Sequence, residues 1–519
     1  MRVVIIGGGV GGLVASVRLA KAGHAVTLLE QGERVGGKLN IWEPEVPGAG
    51  RFRFDTGPHV LTMPWAIQEL FDDLGERMED YLTLERIDPI CRYHFSDGTH
   101  FDAPADPEEA ARRIAQTFPG DEVGFRILLA HAKRVNDVTV NTFLRQDFSA
   151  TIKGAPTFQQ WRQLGDFIGL KPWETLSALS KKRLNHPRLR QIFDLYAFYN
   201  GSSPYKASSI YSVIAWVQWG EGTYYLRGGL RTYANALIRL AEKFGVTIRT
   251  GAKAERIIIE QDALSKRNVV RAVVVRDGDS CPADAVICNA DPLTAYSSLI
   301  DPRFCPPGLS QQSREHLQPS TSAFLLLLGV QGEFPSLMHF NSFLPDDSAA
   351  EFDALFKRSV PADDPVIGVT CQSVTEPDCA PPGYSNLFVM TSPPPLSENF
   401  VWTEENTARY RERILTLLET RCGLKGLRDR IVCEQLWTPE TFASRYGAWK
   451  GSLYGLSAND WRSAFLRPPN RAKEAQGLYF VGGGTHPGGG LPLVTLGGKI
   501  VVEAVREDAE KMFRKNWTP

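Results

Sequence analysis

Continuous apolar runs alternate with stretches of helical spacing at the start of the chain, the pattern of a parallel α/β unit. Val3-Val4-Ile5-Ile6 is a β-branched run, as a strand buried on both faces of a parallel sheet requires. From Leu13 to Ala22, Leu13, Val17 and Ala20 share one helical face while Arg18 and Lys21 lie on the other. Gly23 stands where a helix C′ glycine belongs. His24 to Leu29 is a second strand, closed by Glu30. Similar patterns predict a helix over Arg231 to Phe244, strands at 245–249 and 252–257, and a strand over Gly477 to Val481. Ser322 to Val330 and Asn386 to Thr391 also read as strands. Leu325 to Leu328 alone is compatible with a helix, but its length and its flanking Ser and Gly favour a buried strand. Cys305 to Gly308 and Ser392 to Pro395 are proline-rich and read as connectors.

The turn between the first strand and helix carries the chemistry. Gly7-Gly8-Gly9-Val10-Gly11-Gly12 supplies G-x-G-x-x-G through Gly7, Gly9 and Gly12. Gly7 permits the tight turn, Gly9 lets backbone approach a pyrophosphate, and Gly12 lets helix and strand pack closely. The helix N-terminus presents free N–H groups and a positive dipole end to the phosphates. Glu30 is placed to accept hydrogen bonds from ribose hydroxyls. A dinucleotide site is therefore expected.

Composition changes this picture little. At 519 residues the chain is too long for one compact core, and two or three lobes are expected. With 58 basic against 59 acidic side chains there is no positive field to recruit nucleic acid. Eight scattered cysteines form no Cys-x-x-Cys, so neither a zinc site nor a disulfide framework is signalled, and a reducing, cytoplasmic setting is expected. Met1 to Ile6 leads straight into the glycines and is expected to belong to the fold rather than to a cleaved leader. No run reaches the roughly 20 apolar residues of a spanning helix.

Four further segments point to a family. Arg34-Val35-Gly36-Gly37-Lys38 resembles the glycine-pair signature after the second strand in FAD-binding amine oxidases and carotenoid desaturases. Gly482-Gly483-Gly484-Thr485-His486-Pro487-Gly488-Gly489-Gly490-Leu491-Pro492 is similar to the C-terminal signature of bacterial and fungal phytoene desaturases and their relatives. Asp55-Thr56-Gly57-Pro58-His59-Val60-Leu61 and Asn289-Ala290-Asp291 match further blocks of that family. The resemblance runs from residue 1 to about 505 and is weakest at about 100–190. It implies an α/β fold: a Rossmann-type FAD-binding domain from segments 1–100, 222–300 and 440–519. A mainly helical lid or membrane-facing insertion would span 101–221, and a substrate-binding insertion with β-sheet would span 301–439. FAD is the implied cofactor, met by Gly7, Gly9, Gly11, Gly12, Glu30, Arg34, Gly36, Gly37, Lys38, His59, Val60, Leu61, Ala254, Asn289, Gly483, Gly484, Leu491 and Pro492. A helix from Val494 to Val505 would point its N-terminus at the flavin, and Arg34 and Lys38 would meet phosphate oxygens or steer the flavin end. His486 is the one candidate for catalysis.

The implied activity is dehydrogenation of a lipophilic polyene such as phytoene or a C30 analogue, with hydride passing to the flavin and electrons on to a quinone or oxygen. Gly488 to Val494 is closer to the carotenoid terminal oxidases, so end-group oxidation or 3,4-desaturation is the alternative, ahead of a carotenoid isomerase or an amine oxidase. A long apolar substrate needs a tunnel, for which Phe198, Tyr199, Tyr211, Trp216, Trp219 and Tyr224 are candidates. Phe167, Ile168 and Trp173 precede the basic cluster Lys181-Lys182-Arg183, which suits peripheral attachment to an anionic membrane.

Overall fold

A computed structural model describes residues 1–146, 165–276, 278–460 and 467–516. Strand Arg2–Ile6 lies at the centre of a five-stranded sheet in which every pairing is parallel. Ala25–Leu29 and then Thr247–Arg249 extend it on one side, Ala285–Cys288 and then Leu478–Phe480 on the other. Val3, Val4 and Ile5 are buried from both faces, which is why the run is uninterrupted. Helix Val10–Lys21 packs against Arg231–Lys243 and against the C-terminal helix Leu491–Asn516. A Cβ on Gly498 would fall 2.5 Å from Val14 Cγ1, so the glycine sets how closely those two helices approach. The C-terminal helix starts three residues before the expected Val494 and runs well past Val505.

A seven-stranded sheet forms the second layer. Its order is Ile431–Trp437, Phe324–Gln331, Tyr384–Thr391, Ile367–Cys371, Phe340–Phe343, Cys91–His94 and His100–Ala103. All pairs are antiparallel except Phe340–Phe343 with Cys91–His94. Leu325 to Leu328 is thus a strand. Alternation sends Leu326, Leu328, Val369 and Val389 to one face, where they bury against Ile414, Leu415 and Leu418 of helix Glu404–Thr420. The opposite face carries Leu325, Phe388 and Met390, with Phe340 and Thr370 in the same cross-strand row as Phe388. The edge of this sheet crosses the expected boundary at residue 100, because Cys91–His94 and His100–Ala103 join the second sheet.

Helices Glu122–Thr139, Leu176–Arg183 and Pro187–Phe198 cover the end of this sheet over an aromatic core of Phe125, Phe193, Tyr196 and Trp219. No described helix is long and apolar enough to cross a membrane.

One acid in this layer makes stability pH-dependent. Glu351 is 1% exposed on helix Ser348–Asp353, where one oxygen accepts from the Val366 N–H at 3.0 Å. Burial pushes its carboxyl up to about 8, against the pull of Arg421. The folded state therefore holds a proton that the unfolded chain has lost above the ordinary carboxylate range, and stability falls as pH rises towards 8. Glu351→Gln keeps an acceptor for Val366 and removes that slope. We expect a gain of about 3 kcal/mol at pH 8 and little change at pH 4. Equal pH slopes of the urea midpoint in the two proteins would overturn this.

Candidate functional site

The site begins at the C-terminal edge of the parallel sheet. Gly7 takes φ +94°, and Gly9 is the N-cap of the first helix. That helix has neither a side-chain cap nor an acid in its first turn, so its positive end stays open to an anion. Gly12 packs directly on the Gly7 carbonyl, as its role in the turn requires, and stands behind the cavity wall while Gly7, Gly9 and Gly11 line it. The Glu30 carboxylate is fixed by the Gly8 and Gly32 N–H groups at 2.8 and 2.7 Å. Ala254, buried at the start of strand Ala254–Gln261, lines the same slot.

The glycine pair is braced from below. Gly36 and Gly37 have φ of +122° and +58°, and a Cβ on Gly36 would collide with Arg231. Arg231 Nη1 donates to the Val35 and Leu39 carbonyls at 2.7 and 2.9 Å, a support that no local motif signals. Arg34 is exposed at the rim. Lys38 lines the cavity, and its Nζ donates to the Leu453 carbonyl at 2.8 Å beside Asp291. Burial pushes its amine down to about 8, with Asp291 pulling it back. Burial likewise raises the Asp291 carboxyl, against the Leu293 N–H and Lys38.

The C-terminal loop closes the other side. Asn289 Nδ2 donates to the Gly7 carbonyl at 3.1 Å, and its Oδ1 would lie 2.8 Å from a Cβ on Gly482. Gly483, Gly484, Leu491 and Pro492 line the cavity, and the helix starting at Leu491 again has no acid in its first turn.

These surfaces line one cavity of about 1620 Å³ whose wall also includes apolar side chains beyond the glycine slot. Phe198, Tyr199 and Tyr211 line it. The other three expected tunnel residues do not. Trp219 is 1% exposed among Phe125 and Phe193, and its Nε1 donates to the Pro104 carbonyl at 3.1 Å. Trp216 packs against Gly220 with Lys133 over its ring, and the Tyr224 hydroxyl donates to the Glu221 carbonyl. The wall they were expected to form comes instead from Leu325, Phe340, Phe388 and Met390.

Two more expectations need correction. Leu61 is fully buried in the core under the first sheet, its backbone paired with Tyr224 in both directions, while His59 and Val60 reach the cavity. His486 does not line the cavity: Nε2 lies 2.8 Å from the Gln146 carbonyl and the ring meets the edge of Phe143.

The chain fits a flavin dinucleotide. An open helix N-terminus, a backbone cradle that any Cβ would fill, and an apolar chamber beyond are the required features. Ser452 Oγ, fully buried on the cavity wall, has no hydrogen-bond partner among the described residues. Fold and site together define an oxidoreductase of the dinucleotide-binding flavoprotein class.

The comparisons identify the family. The profile of the flavin containing amine oxidoreductases matches residues 10–506, and the chain belongs to that family, as an FAD-dependent oxidoreductase. A 4,4'-diapolycopene oxygenase of Methylomonas sp is 33% identical over 510 residues, 98% of this chain and 99% of its own. A 4,4'-diaponeurosporene oxygenase of Staphylococcus aureus (strain USA300) is 32% identical over 503 residues, 97% of each chain. Among solved structures, an oxidoreductase from Methanosarcina mazei aligns with TM-score 0.62 at 17% identity, covering 98% of this chain and 100% of that one. A putrescine oxidase bound to putrescine aligns with TM-score 0.61 at 16% identity, covering 98% and 99%. At such identities these structures show the fold alone.

Proposed function

We propose that this protein oxidises a carotenoid-type polyene at its end group, with FAD held by the glycine slot. The observation that supports the reading is that the slot and the apolar side chains Leu325, Phe340, Phe388 and Met390 line one and the same cavity of about 1620 Å³. Bound FAD would supply a two-electron acceptor for C–H oxidation, with water providing the oxygen atom and releasing a proton as the C–H bond is replaced by C–O. The chain's own share is to hold the apolar substrate end at the slot. Gly7, Gly9, Gly11, Glu30, Gly36, Gly37, Ala254, Asn289, Gly483, Gly484, Leu491 and Pro492 hold the cofactor in this reading. A quinone or oxygen would serve as the final electron acceptor.

End-group oxidation is favoured over phytoene desaturation by the two relatives, both oxygenases by name and both matched over nearly their whole length. Substrates of this kind dissolve in lipid, and the surface supports docking there. Ile168 and Trp173 are 50% and 59% exposed in the stretch before Lys181, Lys182 and Arg183. Lys182 pairs with Glu174, leaving the cluster basic overall.

The test is incubation of FAD-loaded enzyme with C30 polyenes in vesicles, anionic against neutral. Products gaining oxygen at the chain end, formed faster on anionic vesicles, are expected. Products with only a longer conjugated system would assign desaturation instead. Flavin reduction by amines alone would overturn the reading.

A further inference from the structure

An unpaired imidazole in the cavity is at odds with a purely hydrocarbon ligand. His59 is 5% exposed, lines the cavity, and neither ring nitrogen has a hydrogen-bond partner among the described residues. Its ring sits 4.1 Å from that of Phe388, at 59°. Phe388 belongs to the apolar wall with Met390, Leu325 and Phe340.

The position is enforced on both sides. Asp55 accepts from the Leu230 N–H and from Gln372 Nε2, each at 3.0 Å, which fixes the strand end before the loop. Gly57 packs on the Lys38 carbonyl, and Leu61 pairs with Tyr224 just beyond. Burial, with His339 nearby, pushes the imidazole down to about 3, so the ring is neutral and offers one donor and one acceptor. Buried groups of this kind are normally paired, and leaving one unpaired is costly. The remaining partner is a molecule in the cavity, cofactor or substrate, and the Phe388 side of the ring faces the apolar wall on the substrate side.

We propose that His59 is the hydrogen-bonding contact for an oxygen atom on the polyene, so that the cavity selects chains whose end already bears a hydroxyl or aldehyde oxygen. This rests on the polyene reading above and narrows it. A bare hydrocarbon leaves both nitrogens unpaired against Phe388, whereas a hydroxyl donates to the acceptor nitrogen and an aldehyde accepts from the N–H. Such an enzyme stands late in a reaction sequence: an earlier oxidation places the first oxygen, and this site recognises it for the next.

The test uses FAD-loaded enzyme and three probes: a linear C30 polyene hydrocarbon, and the same chain with one terminal hydroxyl or one terminal aldehyde. Binding is read by quenching of tryptophan fluorescence in detergent micelles. Wild-type protein is expected to prefer the oxygenated chains about tenfold, equivalent to about 1.4 kcal/mol. His59→Phe is expected to lose the preference while keeping FAD and an unaltered flavin spectrum, and His59→Asn to retain part of it. Equal wild-type affinity for all three probes overturns the inference and leaves the polyene reading standing, and this outcome needs no variant to fold. Binding of none of them overturns both. A shifted flavin spectrum in His59→Phe with the preference intact would place the imidazole on the cofactor and also overturn the inference.

Discussion

Replacing Gly9 with valine is expected to strip the protein of FAD while leaving its fold in place. Gly9 has φ −71° and ψ 175°, extended backbone that valine adopts without strain, so the effect belongs to the side chain alone. A Cβ there would lie 2.9 Å from Asn289 Nδ2, the group that donates to the Gly7 carbonyl. Valine's two methyls would then occupy the space between the helix N-terminus and the Asn289 strand end, where the pyrophosphate must approach bare backbone. Losing both that approach and the Asn289 bond should weaken FAD by at least about a thousandfold, or about 4 kcal/mol. Flavin absorbance remaining with the protein after gel filtration measures it, with far-UV circular dichroism as the check on folding. A folded variant that keeps stoichiometric FAD would remove Gly9 from the cofactor site.

Features within one supersecondary unit were legible in the sequence. The strand at Val3, the turn glycines, the helix and Glu30 all lie within 30 residues, and each is dictated by a local requirement: burial from both faces, φ above zero, or a bare helix end. The same holds for the Asn289 strand end and for Gly484 to Pro492. The apolar part of the cavity was not legible, for two reasons. Its wall comes from the strands of Leu325, Phe340 and Phe388, whose apolar alternation is the same whether a face meets a helix or a ligand. Around Trp216 to Gly220 the chain forms an i→i+5 turn, which breaks the 3.6-residue phase and turns Trp219 into the core while Tyr211 reaches the cavity. Lys38 met the same limit, because its partner carbonyl lies at Leu453. The boundary at residue 100 failed because Cys91–His94 pairs with Phe340–Phe343, a contact that neither strand announces.

The second large effect lies behind the His59 loop, at Glu376. This carboxylate receives the Tyr225 hydroxyl at 2.7 Å, Arg53 Nη2 at 2.6 Å and the Gly228 N–H at 3.0 Å. Three distant segments meet there: the strand end leading to Asp55, the Tyr225 to Arg231 turn, and the loop of the second sheet that also carries Gln372. Burial opposes the charge, and Tyr225, Gly228 and Arg53 outweigh it, so the carboxyl is held below its ordinary value. Its contribution to stability is therefore present at neutral pH and is lost as pH falls below the ordinary carboxylate range. Glu376→Ala should cost about 3–5 kcal/mol, since it strands the Arg53 guanidinium, itself only 24% exposed, and frees the Tyr225 hydroxyl. Glu376→Gln keeps acceptors for Tyr225 and Gly228 and should cost about 1–2 kcal/mol. Arg53→Ala should fall between, because Glu376 keeps two donors. Urea midpoints at pH 7 give the order, and repeating them at pH 4 should shrink the gap between wild type and Glu376→Gln. A Glu376→Ala penalty under about 1 kcal/mol would mean that these segments are held together without the carboxylate, which would then be a passenger.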